Sequence, residues 1–136
     1  MTANILDGAA LAKSIRIGLA KEVEEWCATG KKRPGLAVIL VGEDPASQVY
    51  VKGKERDCIE VGFHSMVEKI PSTISQKELE ELVIGFNQDR TIDGLLVQTP
   101  LPNHIDEDRI VDLIDPKKDV DGFHPYNMGR LAIRRP

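Results

Sequence analysis

The sequence predicts an α/β layered domain with a mostly parallel sheet and helices on both faces. Three observations predict it. Leu36–Val41 is apolar at every position, the pattern of a strand covered on both faces. Ile92–Gln98 reads as a second strand of that kind, and the segments between carry helix-capping signals. Strands separated by connections this long run parallel and are joined by right-handed crossovers, which place helices over both faces of the sheet.

Each element follows from local signals. Asp7 can cap a first helix running to about Gly30, with Leu11, Ile15, Leu19, Val23 and Trp26 on one apolar stripe. The first strand, Leu36–Val41, leads into GEDPAS, where Asp44 or Ser47 can cap a helix and Pro45 suits its first turn. That helix reaches about Gly62, and a shorter strand covers roughly Phe63–Ile70. Ser75 and Glu78 form a capping box for a helix to about Asp89, with Leu79, Leu82, Val83 and Phe86 on its apolar face. Ile92–Gln98 ends at TPLP, where two prolines forbid continuation. A short helix over Asp106–Ile114 precedes a tail, DPKKDVDGFHPYNMGRL, that reads as turn-rich.

The bulk numbers narrow the function classes. The 136 residues argue for one domain, and a chain of this size buries roughly two-thirds of its unfolded surface. A net charge of -4, with basic residues scattered among acids, does not suggest nucleic acid as a partner, and KKR at Lys31–Arg33 reads as a solvated turn run. Cys27 and Cys58 lie far apart, which fits free thiols in a reducing compartment. MTANILDGAALAKS lacks the basic start and apolar core of a signal peptide, and no aliphatic run approaches the roughly 20 residues of a membrane span. The expectation is a cytoplasmic protein.

In α/β sheets of this kind ligands bind beyond the carboxyl ends of the strands. GEDPASQVY and QTPLP should therefore share one edge. Tyr50 and Lys54 lie four residues apart, on one face of the second helix. Read alone, the pair fits a surface helix with a half-buried tyrosine and a solvated lysine. The alternative is a desolvated lysine able to transfer protons near neutral pH. Y-x-x-x-K also occurs in short-chain dehydrogenases, but that reading needs a glycine-rich turn, and GEDPAS holds a single glycine. Gln98 is either a cap for the turn after the strand or a hydrogen-bonding partner for a ligand or lysine. Pro100 and Pro102 suit a rigid wall.

The remaining candidates read as structural. DVDG resembles part of a calcium loop, but Phe123 stands at its fifth position and no acid at its twelfth, so Asp115 and Asp119 read as turn acids. His64, His104 and His124 lack metal-ligand spacing, and no metal is expected. Cys58, one turn beyond Lys54, reads as core.

Three segments taken together resemble the N-terminal catalytic domain of the bifunctional methylenetetrahydrofolate dehydrogenase/methenyltetrahydrofolate cyclohydrolase family. They are VGEDPASQVYVKGK (Val41–Lys54), DGLLVQTPLPNHIDE (Asp93–Glu107) and DPKKDVDGFHPYNMGRLA (Asp115–Ala132), and the resemblance covers essentially the whole chain. It implies oxidation of 5,10-methylenetetrahydrofolate with NADP, then hydrolysis of the methenyl product to 10-formyltetrahydrofolate, in one-carbon metabolism that serves purine biosynthesis. It implies that Lys54 is the catalytic lysine, that Gln98 hydrogen-bonds and tunes it, and that Tyr50 packs along the aminobenzoyl part of the folate. Asp121 would pair with the amino-pyrimidine edge of the pterin, Ser47 would support the lysine's surroundings, and Thr99 and Pro100 would line the folate pocket. Thr99 stands where the family commonly has leucine.

The resemblance also implies a homodimer for the full-length protein. The family's dinucleotide-binding domain and its last helix would follow Arg135–Pro136 and are absent from this chain. The chain is thus expected to be a fragment carrying the folate site and catalytic lysine, with no NADP site of its own. The alternative is a folate-binding or assembly module without turnover.

Overall fold

The computed structural model describes residues 6–135. Met1–Ile5 and Pro136, which include the start of the stretch read above for a leader, lie outside the described residues. Three strands form one parallel sheet in the order β2-β1-β3, with β1 Gly35–Val41, β2 His64–Ile70 and β3 Gly94–Gln98. Val38 at the centre of β1 pairs with Val67 of β2 and Leu96 of β3.

The helices start and stop where their side chains satisfy the free backbone groups of their ends. Helix α1 (Gly8–Ala28) begins at Asp7, whose carboxylate accepts from the Ala10 N–H at 2.9 Å. Helix α2 (Pro45–Val61) is capped by Asp44 and ends on Gly62 in the left-handed region at φ +81, a conformation glycine takes without strain. The Ser75–Glu78 capping box opens α3 (Gln76–Gln88), and Asp106 caps α4 (Glu107–Leu113).

Alternation along β1 divides the core between the two faces of the sheet. Ala37, Ile39 and Val41 point to one side, where Leu79, Val83 and Phe86 of α3 and Ile110 of α4 are buried against them. Val38 and Leu40 point to the other, against Val51 of α2. The α/β layered architecture read from the sequence is the one observed. Glycine permits two close approaches within it. A Cβ on Gly35 would collide with the Thr91 carbonyl oxygen, and one on Gly94 would lie 2.5 Å from Val120 Cγ1.

Two expectations need correction. The tail read as turn-rich contains a helix, α5 (Pro125–Ala132), with Pro125 in its first turn and the His124 ring nitrogen accepting from the Tyr126 N–H. The apolar stripe of α1 is mostly in water: Val23 is buried, whereas Leu11, Ile15, Leu19 and Trp26 are exposed. The reason is the layer order, because α2 already covers that face of the sheet and α1 packs on α2, where Arg16 pairs with Glu60 at 2.8 Å. Lys31–Arg33 is exposed, as read, and its side chains also make local contacts. Lys31 sits over the Trp26 ring, Lys32 Nζ donates to Asp93 Oδ1 at 2.9 Å, and Arg33 donates to the Gly62 carbonyl.

Candidate active site

The carboxyl ends of β1 and β3 lie side by side, so the segments that follow them meet at one edge. Ser47, in the first turn of α2, directs its hydroxyl toward the Thr99 carbonyl beyond β3, 3.5 Å away. Ser47 is 3% exposed, so this contact lies within the packing between helix and loop. Two turns along α2, Lys54 Nζ donates to Gln98 Oε1 at 3.4 Å, and Gln98 Nε2 donates to the Thr99 carbonyl at 2.9 Å. The amide is thus held from both ends: its nitrogen is fixed by the strand tip, which leaves its oxygen to face the ammonium.

This pair opens into a cavity of about 230 Å³. It is lined by Lys54, Gln98 and Thr99 together with Leu95, Leu96 and Val97 of β3. Leu101, Glu107, Ile110, Val111 and Ile114 and the loop residues Asp119, Asp121 and Phe123 complete the lining. The volume is below the roughly 300–1,000 Å³ of clefts that enclose a drug-sized ligand, so the hollow does not enclose a whole molecule of that size. An apolar lining with an ammonium, an amide and three acidic residues around it suits a flat, polar-edged ring.

Asp121 stands at the rim with part of its surface in water. Withdrawal of its carboxyl from water raises its pKa above the ordinary carboxylate value, an effect that Lys54 opposes and the neighbouring Asp119 reinforces. Around the cavity, α2 offers no anion cradle. Its first-turn Ser47 N–H is taken by the Asp44 carboxylate at 2.7 Å, and Glu43 precedes that cap.

The structure therefore brings Lys54, Gln98, Thr99 and Asp121 together around one hollow and places Ser47 directly behind it. Tyr50 and Pro100 are not among the lining residues. Tyr50 is 66% exposed on α2, one turn before Lys54, and Pro100 is exposed beyond the strand tip. Asp115 and Asp119 are turn acids as expected, Asp115 accepting from the Lys117 N–H and Asp119 from that of Gly122. Cys58 is buried in the packing, and loss of solvent pushes its thiol up.

Residues 6–121 match the family described as tetrahydrofolate dehydrogenase/cyclohydrolase, catalytic domain. The chain belongs to that family. It is 56% identical, over all of its 136 residues, to the bifunctional protein FolD 1 of Hydrogenovibrio crunogenus, of which it covers 48%. Its fold is similar to that of the crystal structure of the bifunctional FolD methylenetetrahydrofolate dehydrogenase/cyclohydrolase from Campylobacter jejuni, with TM-score 0.93 and 44% identity over 97% of this chain and 46% of that one. It is also similar to the Trypanosoma brucei methylenetetrahydrofolate dehydrogenase-cyclohydrolase, solved with NADP cofactor and inhibitor, with TM-score 0.93 and 37% identity over 98% of this chain and 46% of that one. The chain thus spans about half the length of the curated relatives it matches.

Several lining residues of this tetrahydrofolate dehydrogenase/cyclohydrolase domain had no sequence signal of their own. Ile110, Val111 and Ile114 look like any apolar helix face, and Glu107 looks like a first-turn acid. Glu107 also accepts from the Leu101 N–H at 3.3 Å, which ties the start of α4 to the loop after β3. Phe123 belongs to the KDVDGFHP segment quoted above, but nothing in the segment marks it as a wall.

Proposed function

We propose that this chain is an N-terminal tetrahydrofolate-binding catalytic domain, spanning residues 1–136, and that its cavity holds the pterin end of a reduced folate. The observation that carries the reading is the Lys54–Gln98 contact at the mouth of an apolar hollow that also presents Asp121. The native protein would oxidise 5,10-methylenetetrahydrofolate and hydrolyse the methenyl product to 10-formyltetrahydrofolate, in the cytoplasm, where formyl groups supply purine biosynthesis. The names of the relatives support a bifunctional enzyme over a folate-binding or assembly module without turnover. We read the native protein as a homodimer, as the family resemblance implies.

The hydrolytic step can be assigned to residues of this chain. The methenyl carbon is already electrophilic, so attack by water chiefly needs a group that takes a proton from the water or its adduct. Lys54, in its neutral amine form, is our assignment for that group, oriented by the Gln98 amide. One carbon–nitrogen bond then breaks, its electron pair and the adduct's hydroxyl proton pass to the departing nitrogen, and the new formyl group stays on the other nitrogen. Asp121 accepts from the amino-pyrimidine donors and fixes orientation. Tyr50, one turn back along α2, offers an aromatic face to the part of the folate that leaves the hollow. Ser47 supports the loop at Thr99, and Thr99 with Pro100 bounds the entrance.

The Trypanosoma brucei relative was solved with NADP, and NADP is the hydride acceptor we assign to the native protein. The described residues do not fit a nucleotide. GEDPAS holds one glycine, and the Asp44 carboxylate occupies the helix N-terminus where a pyrophosphate would sit. No residue of this chain is assigned to the hydride step.

The test follows the absorbance of 5,10-methenyltetrahydrofolate as the native gene product hydrolyses it. Lys54→Ala is expected to slow the enzymatic decay about 10²- to 10⁴-fold, the span of a lost acid–base group. An unchanged rate in that variant would refute the assignment.

A further inference from the structure

Asp121 reaches the cavity from a loop, and the loop is tied around a single carboxylate. Asp119 accepts from the Gly122 N–H at 3.0 Å with one oxygen. With the other it accepts from the His124 N–H and from Asn127 Nδ2, at 2.9 and 2.8 Å. These donors lie on both sides of Phe123 and at the first turn of α5, so one side chain closes the loop that carries Asp121. The backbone of Asp119 is itself anchored. It bridges to Leu95 of β3, and the Leu95 N–H donates to the Lys118 carbonyl at 2.7 Å. Lys118 Nζ in turn donates to the Phe86 and Asp89 carbonyls at the end of α3. Gly94 lets this segment cross β3 closely, with Val120 packed where a side chain would otherwise stand.

We infer that Asp119 is a positioning residue for folate recognition: it holds Asp121 over the cavity, opposite Lys54, and itself makes no bond to substrate. The inference rests on the reading of Asp121 as the contact to the pterin edge. Its chemistry is specific to a carboxylate, because three N–H donors converge on two oxygens and an amide would turn its own NH₂ toward one of them. Misplacing a binding group by about 1 Å can cost as much as 10²-fold, so a slack loop weakens recognition without any group leaving the site.

A double-mutant cycle tests it on the native gene product, with the stable reduced folate 5-formyltetrahydrofolate as probe and calorimetric titration as readout. Asp119→Ala and Asp121→Ala are each expected to weaken binding about tenfold, and the double variant to bind within about twofold of Asp121→Ala. Asp119→Asn, which keeps one acceptor, should recover part of the loss. Additive losses would mean that Asp119 acts as general scaffolding, and wild-type affinity in Asp119→Ala would remove any role; either overturns the inference. Wild-type affinity in Asp121→Ala overturns it as well, and alone among these outcomes also refutes the assignment of Asp121. Should Asp119→Ala not fold, Asn127→Ala replaces it. That change removes one arm of the knot, and its expected loss of about threefold must likewise vanish in the Asp121→Ala background.

Discussion

Lys54 Nζ and Gln98 Oε1 lie 3.4 Å apart, and the contact joins the second helix to the tip of the last strand. The amide oxygen is available because the amide nitrogen is already spent on the Thr99 carbonyl. An orienting amide of this kind should act on rate more than on affinity. Gln98→Ala is expected to lower turnover of methenyltetrahydrofolate about 10- to 100-fold, with folate affinity within about threefold of wild type, as measured by stopped-flow and titration. A loss confined to affinity would contradict the role.

Asp119 should make the fold acid-sensitive. Burial works to raise its pKa, but bonds from the Asn127 side chain and from the His124, Gly122 and Phe123 N–H groups outweigh it, and the net value lies below the ordinary 3.8. A carboxyl whose folded pKa is depressed contributes stability above its unfolded pKa and loses it as pH falls through the folded pKa. The gap in unfolding midpoint between wild type and Asp119→Asn should therefore be widest above about pH 5 and should shrink as pH falls below 3.8. A constant gap across that range would argue against the ionised knot.

Asp121 has the opposite sign. Burial and Asp119 hold its pKa above the ordinary 3.8 despite Lys54, so the folded chain binds more protons than the unfolded one just above that pH. Stability tied to the protonated form fades as pH rises through the folded pKa, and at pH 7 the ionised group is a cost. Asp121→Asn is thus expected to raise the unfolding midpoint at neutral pH while it weakens folate binding. A lower midpoint at pH 7 would contradict the sign.

Much of this was legible in the chain, for identifiable reasons. Leu36–Val41 and the capping box at Ser75 announce their elements through composition and short-range spacing. The rule that parallel strands end at one edge brings GEDPASQVY beside QTPLP, whereas the pairing of Lys54 with Gln98 was implied by the family resemblance and left open by the residues alone. Other features depend on what lies next to them in space. The stripe on α1 shows that the helix is amphipathic, not that α2 stands between it and the sheet. His124 and Pro125 read equally well as a turn and as the start of α5. Asp119 is recognisably a turn acid, yet its knot becomes visible only when Gly122, His124 and Asn127 curl around it.

Gly53 separates a helix-propensity cost from a use. A Cβ there would meet nothing within 4 Å, so Gly53→Ala should stabilise the fold by about 0.5–1 kcal/mol in thermal unfolding. If folate passes over this turn of α2, between Tyr50 and Lys54, the same change should weaken its binding. Stabilisation with unchanged affinity would place the ligand's path elsewhere. Gly35→Ala is the contrasting control. The Thr91 carbonyl leaves no room for a methyl, and a loss of about 1–3 kcal/mol is expected.

The most direct measurement is nuclear magnetic resonance of the nitrogen-labelled protein titrated with 5-formyltetrahydrofolate. The Gln98 side-chain amide and the backbone amides at position 121 and of Phe123 should shift together, in proportion to occupancy, and in Asp121→Ala should need about tenfold more ligand to shift as far. Shifts confined to another surface, with those three groups unchanged at saturation, would contradict the assignment of this hollow to the folate.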